Sequence, residues 1–346
     1  MATSRVHHVN AYSPYALMEQ YMTRSTTAST ALRAVVASRT SSEMLRLPLP
    51  DRTRDRLREH ARHGAAVLGV VSDGPECVWG FQGSSLSFPV RGASGVPLWM
   101  KLRSRPVTEP HPPEWSGVAA AERALAGSGL PVLRPVLSAH AAWTKDGWAY
   151  QAEVTSRLPV RSFSPSRAAP DRMADLPEAW WDSLRTALDG LQELPAAELD
   201  PVSWQEKAAR SIGAVDPASW VLSHGDVCAA NLGAAGGEAV LFDWDYIERG
   251  PRFADAASLL ISSLDTPDVA ARVKAHFGDQ LDSPEGLYAQ SVVAAHWSKR
   301  VNDGEHIDLG PALRAHMRLV EERICLTAPA ASLSNRPAPP HLQDLL

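Results

Sequence analysis

Cysteine is scarce in this sequence. Cys77, Cys228 and Cys325 are odd in number, far apart and in no Cys-x-x-Cys or Cys/His spacing, which argues against a disulfide framework or a zinc site and predicts three structural thiols. Lysine is scarce too: Lys101, Lys145, Lys207, Lys274 and Lys299 are the only five, against a large majority of arginines. No apolar run approaches the ~20 residues of a membrane helix. The first residues, MATSRVHHVNAYSPYAL, show no basic stretch followed by an apolar one, so the expectation is a cytoplasmic protein with no membrane partner. Neither half carries the dense basic patch or motif of a nucleic-acid binder.

What is present is the composition of an ordinary globular protein. The 346 residues are 45% hydrophobic and 21% charged, enough for two domains. The net charge of −5 is unevenly spread: residues 1–164 carry a net +7 and residues 165–346 a net −12. An acidic half of this kind either draws in a cationic substrate, surrounds metal-bound phosphates, or consists of solvated helix faces.

Residues 1–50 are rich in Ser, Thr and Ala, with a loosely periodic helical stretch over Tyr15–Val36. Asp51 is expected to cap a helix over Arg52–His63 whose alternating charges suggest a solvated cover. From Cys77 the pattern changes to CVWGF, LSFPVRG and VPLWMKLR, predicted as three antiparallel strands joined by Gly/Ser loops. A Pro-rich connector, a helix over SGVAAAERAL and a strand over residues 147–155 follow. Segment 156–170, bent at Pro159, Pro165 and Pro170, reads as a linker. Helical patterns then dominate, at 177–194, 201–212, 254–264, 267–278, 284–302 and 310–326, interrupted by strand-like WVLSHGD and EAVLFDWD. Trp180, Trp181, Trp204, Trp220, Trp244 and Trp297 read as core, with a stacking platform for a sugar or base as the alternative. No internal repeat is present, and the C-terminus reads as a loose tail.

The chemistry concentrates in SHGDVCAANLGAAGGEAVLFDWD, residues 223–245. It offers a carboxylate at Asp226, an amide oxygen at Asn231 and a second carboxylate at Asp243 on a new strand. Gly225 permits a sharp turn beside Asp226, and Gly233, Gly236 and Gly237 make a returning hairpin. Three oxygen groups converging at strand ends suit Mg²⁺, which takes one or two carboxylates together with substrate phosphates.

This segment resembles the HGDxxxxN motif and following IDW(D/E) of the aminoglycoside phosphotransferase family, itself similar to the protein kinases. The resemblance implies that Asp226 accepts or orients the proton of the acceptor hydroxyl and that Asn231 and Asp243 are metal ligands. It further implies that His224 braces the loop, that Asp255 anchors it or caps a helix, and that Asp245 is an additional metal or supporting carboxylate. Val227 and Ala229 stand where the family often has Leu and Pro. Upstream, Lys101 matches the lysine that holds the nucleotide phosphates, and Glu122 its ion-pair partner. Gly83, Ser84 and Ser85 match the phosphate-covering turn, and Val154 and Ser156 are assigned to the hinge that meets the purine.

The implied fold is α+β and bilobed, protein-kinase-like, with an antiparallel sheet in a small N-lobe and a larger, mainly helical C-lobe. The expected divisions are a mostly helical extension at 1–63, the N-lobe with hinge at 64–156, the C-lobe at 157–330 and a flexible tail at 331–346. The implied activity is transfer of the γ-phosphate of ATP or GTP, with Mg²⁺, to a hydroxyl of a small molecule. An antibiotic acceptor, an aminoglycoside or a capuramycin-type nucleoside, is the first expectation. A metabolic sugar or alcohol kinase and a nucleotide-binding pseudokinase are the rivals.

Overall fold

The computed structural model describes residues 39–40, 49–80, 83–109, 114–196, 199, 202–209 and 219–327. The helix expected over Tyr15–Val36 and the tail at 331–346 lie outside the described residues. No helix among the described residues is long and apolar enough to cross a membrane.

The first lobe is a six-stranded antiparallel sheet covered by one helix. Its strands are β1 (Val71–Ser72), β2 (Val78–Trp79), β3 (Ser85–Arg91), β4 (Pro97–Pro106), β5 (Leu137–Lys145) and β6 (Trp148–Ser156), in the order β1-β3-β4-β6-β5, with β2 also paired to β3. Helix α1 (Asp51–Val67) crosses one face. Its buried residues Leu57, His60, Ala61, Gly64 and Ala65 recur with the i, i+3, i+4, i+7, i+8 spacing of a helix stripe. Leu57, Ala61 and Ala65 share a core with Phe88, Val90, Met100, Leu102, Ala152 and Val154.

This corrects the expectation of a solvated helix ending at His63. Most of the charged residues that suggested it are exposed, but Arg56 reaches the sheet at Ser104 and lies over the Trp148 ring, and Gly64 continues the helix against Met100. A Cβ at Gly64 would stand 2.8 Å from Met100 Cε. Helix α1 thus shares a core with the sheet that follows it.

Strand β5 went unforeseen. Its sequence LSAHAAWTK is poor in the β-branched residues that mark strands, and it lies at the sheet edge with every second residue exposed.

The second lobe is mainly helical: α3 (Glu178–Gln192), α4 (Val202–Ala208), α5 (Ala254–Ser262), α6 (Pro267–Leu281), α7 (Pro284–Asn302) and α8 (Gly310–Thr327). All nine residues of α5 are buried. The six tryptophans of this half are buried as well, which favours their reading as core. Two small pairings interrupt the helices, β7 (Val221–Ser223) with β10 (Glu248–Gly250), and β8 (Leu232–Ala235) with β9 (Glu238–Leu241). Gly236 and Gly237, both at positive φ, make the β8–β9 hairpin turn.

Helix α2 (Glu114–Leu125) joins the lobes. By chain order it belongs to the N-lobe, yet Ala120, Ala121 and Leu125 are buried in the core of the helical lobe. The molecule is thus α+β, a small antiparallel-sheet lobe on a larger helical one. Residues 157–170 connect the two without regular structure.

Candidate active site

Strand β7 ends in Ser223, and the chain then turns through His224, Gly225 and Asp226. The turn is held from below by Asp255 at the start of α5. Its carboxylate accepts from Ser223 Oγ at 2.9 Å and from the backbone N–H groups of His224 at 2.8 Å and Gly225 at 3.0 Å. Gly225 has φ +82°, and a Cβ there would meet the Tyr246 carbonyl oxygen at 2.1 Å, so a side chain has no room. His224 Nε2 lies 2.9 Å from the Phe242 carbonyl, and Nδ1 faces the Asp226 N–H at 3.4 Å. Burial holds the imidazole below its ordinary pKa. A neutral ring donating from Nε2 and accepting at Nδ1 satisfies both contacts, so His224 ties the Asp226 loop to the Asp243 strand.

The five-residue spacing from Asp226 to Asn231 closes a side-chain loop. Asn231, at the end of a 3₁₀ turn, donates its amide to the Asp226 carbonyl at 2.8 Å and to Asp226 Oδ2 at 2.9 Å. The other carboxylate oxygen of Asp226 pairs with Arg167, which comes from the connecting segment.

Across the cleft, β9 runs into Asp243, whose φ of 57° and ψ of 68° place it in the left-handed region. For a non-glycine residue this is a costly conformation, found where the surroundings over-determine it. Lys101 Nζ on β4 reaches both Asp243 Oδ1 at 2.7 Å and Asp245 Oδ2 at 2.6 Å. Arg103, two residues on and so on the same face, pairs with Asp245 and with Glu153 of β6. Gln151 completes the group, donating to Glu153 Oε1 at 3.0 Å and to the Trp115 carbonyl at 2.7 Å. Burial works against the Lys101 ammonium, but Asp243 and Asp245 together raise its pKa. Lys101 in turn outweighs burial at Asp243 and holds that carboxyl well below the usual range. Asp245, more deeply enclosed and facing Asp243, is pushed up to about 6.

Several assigned roles change. Glu122 does not meet Lys101: its carboxylate accepts from Arg134 at 2.5 and 3.0 Å and from the Leu137 N–H at 2.7 Å. The reason is rotational. Helix α2 presents Gly117 to Asp245, where a Cβ would stand 2.1 Å from the carbonyl oxygen, and five residues turn the helix by about 140° beyond a full turn. Asp245 takes the expected place of Glu122 beside Lys101. Both Asp245 oxygens are engaged by Lys101 and Arg103, which makes it their counter-ion.

The hinge assignment also moves. Strand β6 lies between β4 and β5, and the backbone groups of Val154 belong to that ladder. The Ser156 N–H donates to the Val136 carbonyl at 2.8 Å. The first backbone beyond the ladder is at Arg157 and Leu158. Gly83, with φ +73°, closes a turn onto the Gly80 carbonyl at 3.0 Å, with Ser84 exposed and Ser85 buried at the start of β3. Ser85 pairs with Arg103, which puts that turn at the Lys101 end of the sheet.

Arg103, Glu153 and Arg167 went unnoticed in the sequence. Alternate spacing carried a signal for the first two, Lys101 to Arg103 and Gln151 to Glu153. Arg167 carried none, because an arginine in an irregular segment has no periodicity to place it.

The donor set fits a hard divalent cation. With its amide NH₂ spent on Asp226, Asn231 keeps Oδ1 as an acceptor, and Asp243 leaves 40% of its side chain exposed. Both are oxygen ligands of the kind Mg²⁺ takes.

Residues 102–289 match the model of the phosphotransferase enzyme family. The chain belongs to this family. The phosphotransferase is a small-molecule enzyme of the protein-kinase-like fold. Among solved structures it is similar to a thermostable mutant of aminoglycoside phosphotransferase APH(4)-Ia in ternary complex with ADP and hygromycin B. That match has 9% identity and a TM-score of 0.53, and covers 79% of this chain and 99% of the other. It is also similar to the crystal structure of aminoglycoside phosphotransferase APH(4)-Ia, with 10% identity, a TM-score of 0.52, and 81% and 100% of the two chains covered. At such identities the likeness is one of fold. No curated protein matches the phosphotransferase in sequence.

Proposed function

We propose that the phosphotransferase moves the γ-phosphoryl group of ATP or GTP to a hydroxyl of a small molecule, an antibiotic being the first class to test. The observation that carries this reading is the Asp226 carboxylate, fixed by Asn231 and the Asp255-anchored loop, facing across the cleft a lysine held by two aspartates. Asp226 would accept the hydrogen bond of the acceptor hydroxyl and aim its oxygen. Lys101, already raised in pKa, would hold the nucleotide phosphates as a fixed positive charge. The turn at Gly83 would cover them, and the backbone at Arg157 and Leu158 would meet the base. Asn231 and Asp243 would hold Mg²⁺, which when bound neutralises phosphate charge. Positioning and electrostatics then carry the chemistry, without a covalent enzyme intermediate.

In support, a similar structure holds ADP together with hygromycin B, a nucleotide and a small-molecule ligand in one chain of this fold. The test is nucleotide turnover with Mg²⁺ against a panel of antibiotics, nucleosides, sugars and hydroxy acids. Acceptor-dependent release of nucleoside diphosphate, with a phosphorylated product, is expected for at least one class. Failure to bind either nucleotide in the presence of Mg²⁺ would end this reading.

A further inference from the structure

The second half of the chain is acidic, but a group of cations gathers beside Asp226. Arg167 lies against Asp226 and over the Trp297 ring, 4.6 Å from its centroid, and Arg300 lies over the same ring at 5.2 Å. Lys207 lies over Trp204 with Nζ 3.9 Å from the ring centroid. Helix α4, which carries Lys207, packs on α7, which carries Trp297 and Arg300. These cations feel one another. The Arg167 pKa is lowered by burial and then by Arg300. Lys207 is lowered to about 8 by burial, with Arg167 adding to the effect. His306 is lowered to about 4 by burial, with Arg300 and Arg167 again contributing.

Two of the nearby carboxylates are already engaged. Glu305 pairs with Arg300 at 2.8 Å. Glu248 accepts from Ser203 Oγ and from the backbone N–H groups of Ser203 and Trp204, both at 3.0 Å. Asp226 is the only ion-pair partner of Arg167 among the described residues. With Asn231 on Oδ2 and Arg167 on Oδ1, both Asp226 oxygens are taken, so an acceptor hydroxyl that claims Oδ1 loosens Arg167, a part-buried guanidinium that an anionic group of the ligand would pair again.

We propose that Arg167 is a specificity-determining residue that receives a carboxylate or phosphate group of the acceptor, beside the hydroxyl that Asp226 aims, so that the acceptors are small hydroxylated anions and not polycations. Arg167 suits this task because its planar fork accepts such a group through two parallel hydrogen bonds. Lys207, close enough to Arg167 for the two cations to feel one another, adds positive charge on this side and disfavours an ammonium there. The inference rests on the phosphotransferase reading above and deepens it.

The test compares matched acceptors, each hydroxy acid or sugar phosphate beside its neutral amide or unphosphorylated form, together with an aminocyclitol antibiotic. Wild-type protein, Arg167→Ala and Arg167→Lys are assayed at saturating nucleotide and Mg²⁺. The anionic member of a pair is expected to be the better wild-type substrate. Arg167→Ala should raise its KM on the order of 10²-fold more than that of the neutral partner, while Arg167→Lys recovers part of the loss. A wild-type preference for the aminocyclitol or the neutral members overturns the proposal. So does an equal fall in kcat for charged and neutral acceptors in Arg167→Ala, which would assign Arg167 to the transferring phosphoryl group. Nucleotide binding with Mg²⁺, followed separately by calorimetry, reports on the phosphotransferase reading itself, so the two failures are distinguishable. Circular dichroism of each variant checks that it is folded.

Discussion

The two sides of the cleft hold their aspartates by opposite means. On the sheet side, Asp243 and Asp245 are fixed by cations: Lys101 bridges them, and Arg103 links Asp245 to Glu153. On the helical side, Asp226 also meets one cation, Arg167, but the loop that carries it is fixed by neutral donors, the backbone N–H groups and serine hydroxyl that bind Asp255 and the amide of Asn231. The first arrangement concentrates charge, and under the proposed function nucleotide phosphates would exchange one ion pair for another there. The second keeps a scaffold that need not move when its carboxylate changes partner. Charge pairs therefore hold the sheet side, and hydrogen-bond geometry holds the loop on the helical side.

The contrast can be broken most severely at Asp226. Replacing it with Asn preserves shape and the Asn231 contact while removing the charge, so kcat should fall about 10²–10⁴-fold with nucleotide affinity nearly unchanged. Near-normal turnover by steady-state kinetics would remove Asp226 from its role. Next comes Asp245→Ala, which leaves Arg103 buried with Glu153 as its remaining ion partner. A loss of about 3–5 kcal/mol in denaturant unfolding is expected, and a loss below 1 kcal/mol would mean that the sheet-side network is not held by charge.

Asp255→Ala tests the other side. It strands the Ser223 hydroxyl proton and the His224 N–H, while the Gly225 N–H keeps Ser223 Oγ as its acceptor, for an expected loss of about 2–3 kcal/mol. Since the loop loses its geometry, kcat should fall at least ~10-fold with KM for nucleotide little changed. If stability drops and kcat does not, Asp255 is only a packing residue.

How far these sides could be foreseen follows from their construction. The motif spacing from His224 to Asn231 and on to Asp243 encodes a local loop and hairpin, and those residues do come together. The six helical segments after residue 170 were legible as well, because their apolar spacing is regular. Lys101 was found, but its partner was not. Which face of α2 meets the cleft depends on the close approach permitted by Gly117, and an isolated helix pattern does not reveal that rotation. Val154 and Ser156 were displaced for a related reason, since a strand's use of its backbone depends on whether it has one neighbour or two. Arg167 illustrates the limit, being brought to Asp226 by an irregular segment whose path depends on the whole fold.

The smallest expected effect concerns a group kept neutral by burial in the helical lobe. His316 has its pKa lowered to about 4 by burial, with Lys274 assisting, and its Nε2 has no hydrogen-bond partner among the described residues. The folded state thus binds fewer protons than the unfolded state between about pH 4 and 6.5. The stability this residue contributes is full above pH 6.5 and is lost as pH falls toward 4. About 1–2 kcal/mol should disappear between pH 7 and pH 5. His316→Gln should flatten that part of the profile, measured by urea unfolding at each pH, and an unchanged slope would exclude His316 as its source.

Helix α2 has a consequence for how the molecule comes apart. Its first half is clamped to the backbone of Asp245, and its second half supplies Ala120, Ala121 and Leu125 to the core of the opposite lobe. The sheet therefore has no separate seam along which to peel away, because its connecting helix is shared property of the larger core. Unfolding of one lobe exposes apolar surface of the other, which couples their melting into a single cooperative event. A fragment ending before α2 would remove part of the helical lobe's interior as well as part of the sheet lobe, so the natural cut between lobes in the chain is not a cut between folding units.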